Sequence, residues 1–172
     1  MSADTLLANP ADFEIDITIN DAGWRDVLSS DKIDINTLAG AAIRAAATAP
    51  QPPVFQELSI ALVSDDEIQA LNREYRGKDK PTNVLSFSAQ MDGMPSPILG
   101  DIVLARETIS AEAKKLGIYL SFHLTHLIIH GFYHLCDYDH EDDKEAAHMQ
   151  ALEIAALKRL DIANPYDTEL TL

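Results

Sequence analysis

A chain of 172 residues, 47% hydrophobic and 24% charged, has the composition of an ordinary soluble globular protein and is expected to form one domain over residues 1–172. Its 28 acidic and 13 basic residues leave a formal net charge of −15, which excludes a protein that clings to polyanions by bulk attraction but not an enzyme that turns one over and lets go. One cysteine, Cys136, excludes an internal disulfide framework, no apolar run reaches membrane-spanning length (Arg44 interrupts Leu38 to Ala49), and Met1-Ser2-Ala3-Asp4 lacks the basic start of a signal peptide, so a cytoplasmic location is expected.

Period-two alternation from Phe13 to Ile19 predicts a half-buried strand. An alanine-rich helix follows from about Asn36 to Ala49, ended by Pro50. Glu57 to Val63 reads as a second strand. Ser64 and Glu67 then form a capping box for a helix whose inward face is Ile68, Leu71 and Tyr75 and whose end is Gly77. Asn83 to Ser88 is a third strand, Met91 to Pro97 a breaker-rich loop, and Asp101 to Leu104 a fourth strand. Helices are expected from Glu107 to Leu116 with Gly117 as cap, from Leu120 to Cys136, and from Glu141 to Leu160, the last with Met149, Leu152, Ala156 and Leu160 on its core face. Its acidic start, Glu141-Asp142-Asp143, suits the positive end of a helix dipole. Together these predict an α+β fold, a small four-stranded sheet packed with helices around a buried histidine-bearing helix. Strand order is not readable from such patterns.

The buried helix is apolar on nearly every side, with Leu120, Phe122, Leu124, Leu127, Ile128, Ile129, Phe132 and Leu135. Its polar exceptions include His123, His126, His130 and His134, which at about 100° per residue fall on one stripe. Buried imidazoles without partners are costly, so something must satisfy them. His130 and His134 are four residues apart and share a face. After them, Leu135-Cys136-Asp137-Tyr138-Asp139 can reverse the chain and return His140 to the helix end. Three neutral imidazoles around one point are the ligand set of a catalytic zinc with an open fourth position. His126 lies roughly 12 Å behind His134 along the axis, so it and His123 are expected to be satisfied core histidines. Cys136 would point away from His134 and is read as a small buried hydrophobe.

The basic residues Arg73, Arg76, Lys78 and Lys80 form the densest positive cluster in the chain, which by itself fits a solvated helix end. That segment continues through Pro81-Thr82-Asn83-Val84-Leu85-Ser86-Phe87, and with the histidine run His130 to His140, joined by Gly100-Asp101-Ile102-Val103, it resembles the YbeY family of bacterial single-strand-specific endoribonucleases that mature ribosomal RNA. The resemblance covers roughly Ile60 to Tyr166. It departs from the family pattern at Tyr133 (usually leucine), Ser88 (usually proline) and Asp137 (usually glycine). Asp137 lies where the chain turns toward His140, and aspartate is among the few residues that tolerate positive φ.

The resemblance implies that His130, His134 and His140 are zinc ligands, one Zn2+ per chain, and that Arg76 is the functional arginine. It further implies single-stranded RNA and ribosomal RNA as substrates, maturation of the 16S 3′ end, a part in ribosome quality control, and ribosomal proteins or a ribosome-assembly GTPase as partners. Two other readings compete. A zinc peptidase commonly carries H-E-x-x-H, where the glutamate handles a proton, but that position here is Gly131. A non-catalytic module would close its metal with a fourth protein ligand, for which Asp137 and Asp139 are candidates.

Overall fold

A computed structural model describes residues 13–48, 54–90 and 96–167. The first strand, β1 (Glu14–Ile19), turns Ile15, Ile17 and Ile19 onto the core and Glu14, Asp16 and Thr18 to solvent, as its alternation predicts. A short helix that the sequence reading passed over follows, α1 (Gly23–Ser30). It has no side-chain cap and few apolar positions, yet Trp24 is fully buried and donates its indole N–H to Val63 O at 2.8 Å. Helix α2 (Ile35–Ala46) starts at an Asp34 cap that accepts from Asn36 N and Thr37 N, and stops short of the expected Ala49. The expected stop at Pro50 and residues 91–95 of the expected loop from Met91 to Pro97 lie outside the described residues.

The remaining elements are β2 (Glu57–Val63), α3 (Asp65–Arg76), β3 (Val84–Ser88), β4 (Ile98–Ala105), α4 (Arg106–Leu116), α5 (Leu120–Leu135) and α6 (Asp143–Arg159). The strands form one mixed sheet in the order β1-β2-β4-β3, with β1, β2 and β4 parallel and β3 antiparallel to β4. Strand β4 is longer than the predicted Asp101 to Leu104 because Gly100, with φ 154, continues the extended chain close against β3 and α5. A Cβ there would fall 2.3 Å from Phe87 O and 2.8 Å from a Leu135 methyl, so only glycine fits.

One face of the sheet carries the main core. Leu58, Ile60, Leu62, Ile102 and Leu104 share one core with the buried faces of α2 and α5, and α6 packs behind these against both helices. The other face is covered in part by α3, through a smaller cluster of Val63, Ile68, Leu85, Val103 and Ala105. Helix α5 is buried as its all-round apolarity predicts, although Phe122 near its start is 37% exposed. Tyr75 corrects the predicted inward face of α3. It is 61% exposed and packs its ring edge-on against Phe87, 5.2 Å between centroids. Helix α6 begins two residues later than expected because Asp142 is its cap, accepting from Glu145 N at 2.7 Å.

Candidate metal centre

Helix α5 presents His130 and His134 from one face, with Nε2 atoms 3.1 Å apart. The helix ends at Leu135 and the chain turns back at Asp137, which takes φ 66, while Tyr138 N donates to Tyr133 O at 3.0 Å. That is the left-handed geometry for which glycine is usual and aspartate is tolerated. The turn carries His140 back over the helix end, its ring 5.1 Å from that of His134 and 5.8 Å from that of His130. Asp139 holds the approach by accepting from His140 N at 2.7 Å. The result is a cluster of three ligand atoms, one from each histidine, all within 4.8 Å of one another.

Electrostatics suit a cation. Burial first, and then the neighbouring His130 and His140, push His134 down to about 4, so its imidazole is neutral at ordinary pH. His130 Nδ1 lies 2.6 Å from Glu153 Oε1, which leaves Nε2 as the atom facing the other histidines. Zn–N bonds of about 2.0–2.1 Å in a tetrahedron separate neighbouring ligand nitrogens by about 3.3 Å, close to the 3.1 Å found between His130 and His134. The donor set is therefore compatible with a metal ion. Cys136 lies outside this group of ligand atoms, and burial pushes its thiol up to about 12.

The other histidines of the stripe are partnered by carboxylates. His123 Nε2 lies 2.7 Å from Glu112 Oε2, and burial, outweighing that bond, lowers its pKa. His126 Nε2 lies 3.3 Å from Glu153 Oε1 and 3.3 Å from the Tyr166 hydroxyl. Glu153 is 1% exposed. Burial pushes its carboxyl up, but hydrogen bonds to His126 and His130 outweigh that and bring it down to about 2. Sequence reading missed both Glu153 and Tyr166. The available signal was a carboxylate on the same face as Met149 and Ala156, where a solvated helix would place an apolar residue.

The cluster lines a cleft of about 870 Å³ that Arg76, Lys78 and Lys80 line as well. Gly77, with φ 68, ends α3 in a left-handed cap whose N–H returns to Arg73 O, and Lys78 N returns to Asn72 O at 3.2 Å. Arg76 is thus the last helical residue, and its Nη2 donates to Ser86 O at 3.2 Å on the edge strand. The basic loop is pinned from below by Asn72, 3% exposed, whose amide donates to Lys80 O at 2.8 Å. Arg73, grouped with these cations in the sequence, stands apart from the cleft and pairs with Asp79 at 3.7 Å.

The family model described as Endoribonuclease YbeY matches residues 20–161. A protein of Rhizobium etli named Endoribonuclease YbeY is 43% identical over 162 residues, covering 91% of this chain and 95% of its own length. Its namesake from Sphingopyxis alaskensis is 52% identical over 130 residues, 70% of this chain and 77% of its own. A solution structure of TM1509 from Thermotoga maritima aligns with 90% of this chain and 99% of its own at 23% identity, with a TM-score of 0.46. With a family match that spans most of the chain and relatives aligned nearly end to end, this protein belongs to the Endoribonuclease YbeY family.

Proposed function

We propose that the chain is a zinc-dependent endoribonuclease that cuts single-stranded segments of ribosomal RNA, with His130, His134 and His140 as metal ligands and Arg76 as its catalytic cation. The observation that carries this reading is the cleft itself, lined both by three imidazole nitrogens within 4.8 Å of one another and by Arg76, Lys78 and Lys80. An ion held by the three histidines would polarise a phosphoryl oxygen and lower the pKa of bound water. Arg76 offers a planar fork to two phosphoryl oxygens and braces the charge that grows on them. Lys78 and Lys80 attract the phosphate backbone locally, offsetting a chain that is strongly acidic as a whole. His130 and His134 are half-buried, which favours a splayed strand over a stiff duplex. Family membership supports a role in 16S 3′-end maturation and ribosome quality control in the cytoplasm, with ribosomal proteins or a ribosome-assembly GTPase as partners.

The peptidase reading meets a steric objection. Gly131 faces the sheet, where an added Cβ would lie 3.0 Å from both an Ile102 methyl and Ser86 Oγ, and its carbonyl accepts from that same hydroxyl at 2.9 Å. A glutamate at this position would have to displace Ile102 and Ser86. As for a closed structural metal, the group formed by the described residues holds three ligand atoms, and Asp139 already caps His140 N. The test is purified protein with its metal quantified, offered a structured RNA with single-stranded tails and, in parallel, an unfolded protein. Cleavage confined to the tails is expected. Degradation of casein with the RNA left intact would reverse the assignment.

A further inference from the structure

Glu153 lies on the core face of α6, 1% exposed, beside Met149, Ala156 and Leu157. A carboxylate in such a place costs several kcal/mol unless donors meet its oxygens. Donors come from three directions. On Oε1 converge His130 Nδ1 at 2.6 Å and His126 Nε2 at 3.3 Å. On Oε2 the Tyr166 hydroxyl donates at 2.7 Å. Tyr166 also packs its ring edge-on against His126, 5.5 Å between centroids, so the segment beyond α6 is fastened across the back of the histidine stripe.

Only one of these donors touches the cluster. His130 gives its Nδ1 side to Glu153 and its Nε2 side to His134, 3.1 Å away. An imidazole whose Nδ1 proton is held by an anion has a bare Nε2 and a ring fixed in plane, which are the two requirements of a ligand nitrogen. We propose that Glu153 is a positioning residue for the metal centre: it accepts a hydrogen bond from His130 Nδ1–H and so presents Nε2 to the ion, while Tyr166 and His126 fix the carboxylate in the orientation that does this. The proposal rests on the metal reading given above for the part that concerns affinity. It does not depend on which bond the enzyme cuts.

A core-filling role and a positioning role make different demands. Filling requires only volume, which Glu153→Gln preserves. Its amide oxygen can still accept from His130, and its amide nitrogen can face the Tyr166 oxygen. Positioning requires the negative charge, which Gln lacks. Tyr166→Phe removes one hydroxyl at an exposed position and leaves the packing in place.

The experiment compares wild type, E153Q and Y166F. Long-range proton–nitrogen NMR on the metal-free proteins reads the His130 tautomer, zinc affinity is measured by competition with a chromophoric chelator, and thermal melting confirms folding. Wild type is expected to show His130 protonated at Nδ1. E153Q should mix the two tautomers and bind zinc about 10- to 100-fold more weakly, the usual cost of losing such a partner. Y166F should shift both readouts in the same direction by less, and it keeps the test decisive if E153Q misfolds. Variants that retain the wild-type tautomer and bind zinc within twofold of wild type would make Glu153 a core filler and overturn the proposal. A wild-type protein that takes up no divalent ion would instead overturn the metal centre, and with it this role.

Discussion

Arg76 gives the sharpest test of how the basic residues and the histidines of the cleft work together. The side chain is exposed, and the hydrogen bond it donates is a 3.2 Å contact to Ser86 O. Such a bond contributes about 0.5–1 kcal/mol at most, and alanine recovers a few tenths through its better helix propensity. Arg76→Ala should therefore leave the melting temperature within about 2–4 °C of wild type and zinc content unchanged. The chemical step should behave otherwise. Removing one preorganised donor from a developing oxyanion typically costs about a hundredfold or more, close to 2.7 kcal/mol of barrier. Arg76→Lys keeps the charge but loses the fork, so its rate should fall between the two, about tenfold below wild type by that reasoning. RNA affinity should weaken by much less than the rate, because Lys78 and Lys80 still line the cleft. The assay is single-turnover cleavage of a tailed RNA, with binding, zinc and melting measured on the same samples. An Arg76→Ala protein that cuts at the wild-type rate would refute the catalytic role. A loss of affinity equal to the loss of rate would reduce Arg76 to a binding residue.

Three further outcomes are expected. His134→Ala removes the central ligand of the cluster and should abolish stoichiometric zinc, with some loss of metal-dependent stability; unchanged zinc by elemental analysis would sink the ligand assignment. Asp137→Gly relieves a non-glycine residue at φ 66, and after the extra unfolded-state entropy of glycine it should stabilise by up to about 1 kcal/mol, read as a small rise in melting temperature. Asp21 is held below its ordinary value chiefly by the Arg106 hydrogen bond, so the pair's contribution is fully present above the unfolded carboxyl pKa of about 3.9 and lost as pH falls through the lower folded value. Chemical denaturation should accordingly show Asp21→Asn less stable than wild type at pH 7, with the gap closing toward pH 3, and a gap independent of pH would contradict the assignment.

Some of this architecture was legible in the chain because local chemistry decides it. Ser64 accepts from Glu67 N, and Gly77 and Gly117 take the left-handed caps where helices were expected to stop. The histidines at 130, 134 and 140 converge because helical spacing and a six-residue return constrain them strongly. What escaped was set by contacts distant in sequence. Helix α1 has few apolar residues and owes its place to Trp24 reaching Val63 across the sheet. The antiparallel placement of β3 beside β4 leaves no local mark on either strand. Tyr75 occupies an inward helical register yet lies beyond the rim of the small core, against Phe87. Glu153 and Tyr166 meet the stripe from 23 and 40 residues away, separations at which a pattern along the chain carries no information.

Among the described residues, finally, the sheet has two margins without a neighbouring strand, β1 and β3, and open margins invite strands from other molecules. The β1 margin carries Glu14 and Asp16 toward solvent, so a second copy would have to bring its own carboxylates against them. The β3 margin is five residues long, and the Arg76 guanidinium occupies its Ser86 carbonyl. The groups that line the cleft thereby also block edge-to-edge association, and the net charge of −15 adds repulsion between copies at a distance. Within the described residues, the margins of the four-stranded sheet are thus guarded by charge rather than by a covering helix.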